Sequence, residues 1–432
     1  MSGVRVAADI GGTFTDVVLD DGETRYSSKV LTTYKDPADA VLDGLGKVLL
    51  EAGREPSEVV LFLHGTTLAT NALIERRGAR TALLTTEGHR DALEMAFENR
   101  FEQYDVNIDR PAPLVPRHLR LPVRERLAAD GEVLIPLDES SVAAAVDRLA
   151  EQGVESVAIG LLHGYRKAGH EQAVAETVRE RLPGVAITLA CEVCPEIREF
   201  ERLSTACANA YVQPLIASYL QSLESQLIAG GVHCPVLLMT SGGGLTDLST
   251  AARFPIRLVE SGPAGGAILA ADIAARCGLD EVLSLDMGGT TAKICLIDGA
   301  EPQLSRQFEV GRTYRFKKGS GLPMRIPVIE MVEIGAGGGS IASVDSLGRI
   351  QVGPESAGSE PGPACYGRGG RDATVTDADV VLGKIRPEHF AGGSLHLDSN
   401  AAARAVDAGV AQPLGLDCAG GAVGICEVID EN

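Results

Sequence analysis

The sequence predicts an α/β fold with two related halves, and three observations predict it. The segment Ala8-Asp9-Ile10-Gly11-Gly12-Thr13-Phe14-Thr15-Asp16 is echoed far downstream by Leu285-Asp286-Met287-Gly288-Gly289-Thr290-Thr291-Ala292-Lys293. Around each echo, short apolar runs alternate with stretches of helical period. Each echo reads as a strand, a tight Gly turn and a returning strand, so the chain repeats its opening hairpin.

The first half opens with strands Val4 to Ile10 and Phe14 to Leu19. An Asp20-Asp21-Gly22 turn leads to a third strand at about Arg25 to Val30. Asp36-Pro37 supplies a cap and a first-turn Pro for a helix with Ala40, Val41, Leu45, Val48 and Leu49 on one face. A buried strand, Val59 to Leu63, runs into the polar loop His64-Gly65-Thr66-Thr67, a helix from Ala69 to Arg76 and a strand from Thr81 to Leu84. From Asp91 to Asp138 periodicity is poor and Pro and Arg are frequent, as in an insertion or a β-hairpin excursion.

Alternation then resumes with helix Glu139 to Gln152, strand Ser156 to Leu162, helix Glu171 to Arg181 and strand Val185 to Leu189. A long helix, Arg202 to Ile228, leads into a second half opening with strand Val236 to Thr240 and the loop Ser241 to Gly244. Helix Pro263 to Arg276, strand Val282 to Asp286 and strand Ile294 to Ile297 follow, and then a Gly/Pro-rich β region. Two domains are expected, 1–190 and 191–432, the second stopping within an amphipathic helix.

The composition excludes several classes. A net charge of −20 disfavours nucleic acid and anionic membranes as partners. No run of apolar residues is long enough to span a bilayer and no signal peptide is visible, so a cytoplasmic chain is expected. The nine cysteines are scattered, as reduced thiols are. Cys191-Glu192-Val193-Cys194 lacks the second pair that a zinc site needs, so buried or loop thiols are the expectation.

The echoes carry chemistry. Glycines let backbone amides approach an anion without an intervening Cβ, and Thr hydroxyls donate to phosphate oxygens. An ordinary hairpin turn would explain the glycines but not the Thr and Asp grouped around them. Gly11, Gly12, Thr13, Thr15, Asp16, Gly288, Gly289, Thr290 and Thr291 are therefore candidate phosphate ligands. Asp9 and Asp286 stand where a bound cation needs carboxylates. In so acidic a chain, phosphate binding must rest on amides, helix N-termini and Mg2+.

Other motifs are less specific. Gly335 to Gly339, with Gly337 and Gly338 at its centre, precedes a strand and so is no dinucleotide loop; lining of the site is expected. Glu260 to Gly266 starts a helix at a strand end, which makes Gly265 a phosphate candidate and Glu260 a substrate candidate. His64 and Thr67, at another strand end where open α/β sheets bind ligands, are further substrate candidates; the alternative is a helix cap by Thr66 or Thr67. Glu330 and Glu333 read as a buried acid pair, and Arg312, Arg315, Lys317 and Lys318 as a solvated basic face or subunit contact.

These residues resemble a known family. The paired hairpins are similar to the phosphate motifs of the actin-like ATPase superfamily, which implies an actin/sugar-kinase-like, ribonuclease H-like duplicated fold. More narrowly, Asp9 to Asp16, His64 to Asn71, Glu260 to Gly266, Asp286 to Lys293, Glu333 to Ser340 and Pro361 to Gly367 resemble the hydantoinase A/5-oxoprolinase family. The resemblance implies a subunit of an ATP-dependent amidohydrolase that phosphorylates and ring-opens a cyclic amide such as a hydantoin, 5-oxoproline or a lactam. Asp9 and Asp286 would be the catalytic, Mg2+-binding carboxylates.

An alternative within the family is an ATP-dependent ketone carboxylase subunit of the acetone/acetophenone type. Another is an inactive, truncated subunit that docks a partner. A hydantoinase B-type subunit, hence a hetero-oligomer, is implied in each case. Lys293 departs from the first hairpin, which has Asp16 there, and pairs with phosphate or faces solvent. The family's adenosine-contacting Gly-Gly motif falls beyond Asn432, so weak or no ATP binding is expected of this chain alone.

Overall fold

The computed structural model describes residues 3–33, 36–97, 102–312, 318–393 and 395–431. Strands β1 (Val4–Ile10), β2 (Phe14–Asp20) and β3 (Arg25–Leu31) form an antiparallel meander. Helix α1 (Pro37–Ala52) starts where expected. The Asp36 carboxylate accepts the Ala38 amide at 3.1 Å, and Gly53 ends the helix in the left-handed region. Such a cap contributes about 1 kcal/mol. The helix buries Ala38, Val41, Leu45 and Val48 in the core cluster that also holds Val17 and Leu19 of β2.

On its other edge β1 pairs in parallel with β4 (Val59–Thr66). Strand Val236–Met239 pairs in parallel with β4, and Leu245–Asp247 closes the sheet. Val236–Met239 therefore belongs to the first sheet and does not open the second half, which corrects the sequence expectation. A division between residues 190 and 191 cuts across this one sheet. The cause is a long-range pairing, Val236 opposite Phe62, that no local pattern encodes.

The second sheet is wholly parallel, in the order Ala186–Leu189, Ser156–Gly160, Thr81–Thr86 and Arg120–Val123. The stretch from 91 to 138 thus supplies an edge strand as well as a small hairpin, Arg126–Leu127 with Val133–Ile135. The long helix Glu199–Ala229 packs against the strands of this sheet and is buried continuously from Glu201 to Val212. Arg202 on it forms a fully buried ion pair with Glu171 at 3.2 Å. Glu171 also accepts the amides of Leu161 and Cys191 at 3.0 and 2.8 Å, and Arg202 donates to the Leu161 carbonyl at 2.6 Å. Burial pushes the Glu171 carboxyl up, and Arg202 opposes the shift.

The second hairpin pairs Glu281–Met287 with Ala292–Asp298, and Val332–Ile334 adds to the latter strand. Helix Ser261–Cys277 lays Ala264, Ala267 and Ala271 against Cys295 and Ile297. Counting from the two aspartates, Leu283, Leu285 and Met287 are the counterparts of Val6, Ala8 and Ile10. The first-half residues are 1%, 3% and 0% exposed; their counterparts are 58%, 64% and 46% exposed. Among the described residues, Glu281–Met287 is an edge strand with one bare apolar face.

The last segment forms its own cluster, the hairpin Ser340–Val344 with Ile350–Ser356 packed on helices Val375–Val381, Ser399–Val406 and Cys418–Asp430. No described helix is long and apolar enough to cross a membrane. All nine cysteines are free. Burial pushes the Cys194 thiol up to about 11 and raises that of Cys191, as suits inert thiols.

Candidate active site

The two hairpin tips are built alike. The Gly11 amide donates to the Phe14 carbonyl at 2.9 Å, and the Gly288 amide donates to the Thr291 carbonyl at 2.9 Å. The tips also meet: a Cβ added to Gly289 would lie 3.3 Å from the Thr13 hydroxyl oxygen. Gly12, Gly289 and Thr290 are exposed at this junction. The structure thus brings Gly11, Gly12 and Thr13 together with Gly288, Gly289, Thr290 and Thr291.

Asp9 sits below the first tip, walled by two glycines. A Cβ on Gly65 would come 2.5 Å from Asp9 Oδ1, and one on Gly262 would come 2.9 Å from Oδ2. Gly262 is in the first turn of helix Ser261–Cys277, whose positive end therefore abuts the carboxylate. The Ser261 hydroxyl ties that turn to β4: it donates to the Thr66 carbonyl at 3.0 Å and accepts the Thr66 amide at 3.1 Å. Asp9 Oδ1 is buried without a hydrogen-bond partner. Its pKa is pushed up to about 6, first by burial and then by the negative charges of Asp16 and Asp286, with Lys29 opposing. A cation between the tips would relieve that strain on the charged form.

Register arranges the charged residues in two rows. Gly65, Asp9, Asp16 and Lys29 lie side by side across the first sheet. Asp286, Lys293 and Glu333 lie side by side across the second hairpin and its neighbour. Asp16 pairs with Lys29 at 2.7 Å. Lys293 contacts Glu260 and is largely buried, so it is not a solvent-facing strand residue. No group of three or more His, Cys, Asp or Glu side chains suited to a metal occurs among the described residues.

Several sequence expectations need correction. Thr15 is fully buried and its hydroxyl lies 3.0 Å from that of Thr32, so it braces the hairpin from within. His64 is buried in the core. Its Nδ1 is 3.1 Å from the Ala8 carbonyl and its Nε2 is 2.8 Å from the Tyr219 hydroxyl, which leaves no ring nitrogen for substrate. Thr67 stands at the N-cap of helix α2 (Leu68–Ile74) and donates to the Ile10 carbonyl at 3.0 Å, which anchors the first tip. Gly265 lies a turn into its helix, 3.8 Å (as a Cβ) from Met239; Gly262, not singled out from sequence, is the residue at Asp9.

Gly337 and Gly338 brace the second tip from behind. The amides of Gly338 and Gly339 donate to the carbonyls of Gly288 and Gly289 at 3.0 and 2.6 Å. Thr376 holds Gly338 in turn, through its amide and its hydroxyl, both at 2.8 Å. Nothing in the sequence pointed to Thr376. A Cβ on Gly337 would lie 2.7 Å from Gly288 O, Gly289 C and Thr290 N, all backbone atoms. Gly337→Ala should therefore shift the tip and cost about 1–3 kcal/mol, read as a lower melting temperature.

Glu330 and Glu333 are exposed and form no buried acid pair. Arg312 pairs with Glu309 at 3.0 Å; Arg315 and Lys317, and the terminal Asn432, lie outside the described residues. Pro361 to Gly367 is held by Asp377, whose buried carboxylate accepts the amides of Ala364 and Cys365 at 3.2 and 2.8 Å.

Two similar hairpins closing on one cleft, each with an acid at the foot of its tip, define an actin-like, duplicated ATPase-type fold. The comparisons agree. Residues 5–182 match the hydantoinase/oxoprolinase N-terminal region and residues 202–432 match the hydantoinase/oxoprolinase model, so the chain belongs to the hydantoinase/oxoprolinase family. It is 38% identical over 433 residues to caprolactamase subunit alpha of Pseudomonas jessenii, covering 99% of this chain and 61% of that subunit. The crystal structure of ATP-dependent caprolactamase from Pseudomonas jessenii superposes with a TM-score of 0.79 at 37% identity, over 99% of this chain and 62% of that one. Nucleotide-free acetone carboxylase superposes with a TM-score of 0.85 at 26% identity, over 100% and 62%. The chain spans about three fifths of the length of these relatives.

Proposed function

We propose that this chain is the phosphate-clamping part of a cytoplasmic, ATP-dependent cyclic amidase acting on a lactam, hydantoin or 5-oxoproline. The observation that carries the reading is the meeting of two identically closed Gly-Gly-Thr tips over Asp9 and Asp286. Similarity to a caprolactamase subunit supports the cyclic amide as substrate class. Bound ATP with Mg2+ would supply the phosphoryl group that, placed on the amide oxygen, makes the amide carbon electrophilic enough for water to add and the ring C–N bond to break, with ADP and phosphate as the other products.

The chain's residues would act by position and charge. Gly11, Gly12, Thr13, Gly288, Gly289 and Thr290 would cradle phosphate oxygens, which suits preorganised electrostatic stabilisation. Asp9 and Asp286 would hold the cation, directly or through water, and Asp9's unpartnered oxygen is the donor that fits it. The relatives bear subunit names, which supports a partner polypeptide, here taken to be of hydantoinase B type.

A carboxylase reading is favoured by one observation, the TM-score of 0.85 to acetone carboxylase. Phosphate release by the chain assembled with its partner, compared across lactams, hydantoins, 5-oxoproline and ketones with bicarbonate, tests both. Cyclic-amide-stimulated release that falls at least about a hundredfold in Asp9→Ala is expected. Release stimulated by ketones alone would favour the second reading. Release indifferent to every substrate and to Asp9→Ala would overturn both.

A further inference from the structure

Lys293 occupies the position in the second hairpin that Asp16 holds in the first, and the sign of its neighbour is reversed as well. Asp16 is flanked in register by Lys29, Lys293 by Glu333. A lysine on a strand next to a surface hairpin normally reaches into water. The Lys293 side chain is instead only 13% exposed, with its ammonium against the Glu260 carboxylate, itself 10% exposed. Burial pulls the ammonium pKa down and Glu333 opposes this, so the cation is poorly hydrated.

Glu260 holds an uncommon conformation to make this contact. Its backbone is left-handed (φ 63°, ψ 23°), which disfavours any residue with a Cβ. Its amide donates to the Thr70 hydroxyl at 3.2 Å, which ties it to the first half. Two residues on, Gly262 lies against Asp9. Glu260 thus joins the acid of one hairpin to the cation of the other.

Lys293 stands directly opposite Asp286 in register, so the two side chains share one face of the hairpin. Directly opposed residues have Cβ atoms about 5 Å apart, and a lysine reaches as far as anything its cross-strand aspartate can approach. The cleft otherwise presents Asp9, Asp16 and Asp286, and Lys29 is engaged by Asp16. A polyphosphate entering among these acids needs a cation, and a compact ammonium is well suited to a phosphate oxygen.

We propose that Lys293 is a phosphate-binding residue: when a polyphosphate enters, its ammonium passes from Glu260 to a phosphate oxygen, and Glu260 is the positioning residue that holds it over the cleft beforehand. The proposal deepens the phosphate-clamp reading and rests on it for the identity of the ligand.

The test is amine labelling of Lys293 read by mass spectrometry, in the chain with its partner. Wild type and Glu260→Gln are compared with no addition, with Mg2+ and tripolyphosphate, and with Mg2+ and ATP. Without phosphate, Glu260→Gln should label Lys293 several-fold faster than wild type. Tripolyphosphate or ATP should restore protection in that variant. In steady-state phosphate release, Lys293→Met should raise KM for ATP about tenfold and Lys293→Arg should recover part of it. A purely structural pair would move the melting temperature but not the phosphate protection. Protection by tripolyphosphate without ATP turnover would support Lys293 and overturn the proposed enzyme function. Labelling of Glu260→Gln that neither polyphosphate slows would overturn the assignment of Lys293.

Discussion

Arg202→Ala is expected to destabilise the fold by about 3–5 kcal/mol, because it strands the Glu171 carboxylate in a site with no access to solvent. In the native chain that carboxylate receives the guanidinium and two amides; the variant leaves the amides alone to compensate a buried charge. Chemical denaturation at neutral pH measures the loss. The double variant Glu171→Leu with Arg202→Met should recover part of it, since an apolar pair needs no charge compensation, while the amides of Leu161 and Cys191 lose their acceptor. A loss under about 1 kcal/mol for Arg202→Ala would mean that water reaches the pair as it reaches a surface one.

Acid should weaken the fold through His64, the second large effect. The ring donates Nδ1–H to the Ala8 carbonyl and accepts at Nε2 from Tyr219, so the packed form is neutral. Burial lowers its pKa to about 4, against an ordinary value of 6.5. Between those values the unfolded chain takes up a proton that the folded chain refuses. Stability from this group is therefore intact above pH 6.5 and is lost as pH falls toward 4, by about 3 kcal/mol in all. His64→Gln should be less stable at pH 7 but should shed this part of the slope between pH 7 and 5. An unchanged slope in denaturation curves would show that His64 does not carry it.

Much of this architecture is legible in the sequence because hairpins and helices are local. Asp9 and Asp286 each announce a Gly-Gly-Thr turn, and Asp36-Pro37 and Gly53 bracket a helix by their own side-chain and backbone chemistry. Alternation also carries the burial of two polar residues. Thr15 lies in phase with Val17 and Leu19, and His64 with Phe62 and Thr66, so the period of the strand already places both inside. The strand was expected to stop at Leu63 because His, Gly and Thr are common in loops, whereas pairing with β1 carries it to Thr66.

Other features had no local signal. The partnership of Val236 with Phe62, the use of Arg120–Val123 as a sheet edge and the hold of Thr376 on Gly338 all join residues distant in the chain. Gly337 is instructive in another way. A glycine-rich loop suggests ligand contact, but its smallness here admits the backbone of the neighbouring tip. Whether a glycine yields space to a phosphate or to another strand is decided by what the fold brings beside it.

The parallel order of the second sheet has a kinetic consequence. Ala186–Leu189, Ser156–Gly160, Thr81–Thr86 and Arg120–Val123 meet only after the helices and loops between them have folded back. Such non-local pairing pays the entropy of loop closure before any contact rewards it, so this sheet should be among the slower parts of the molecule to assemble.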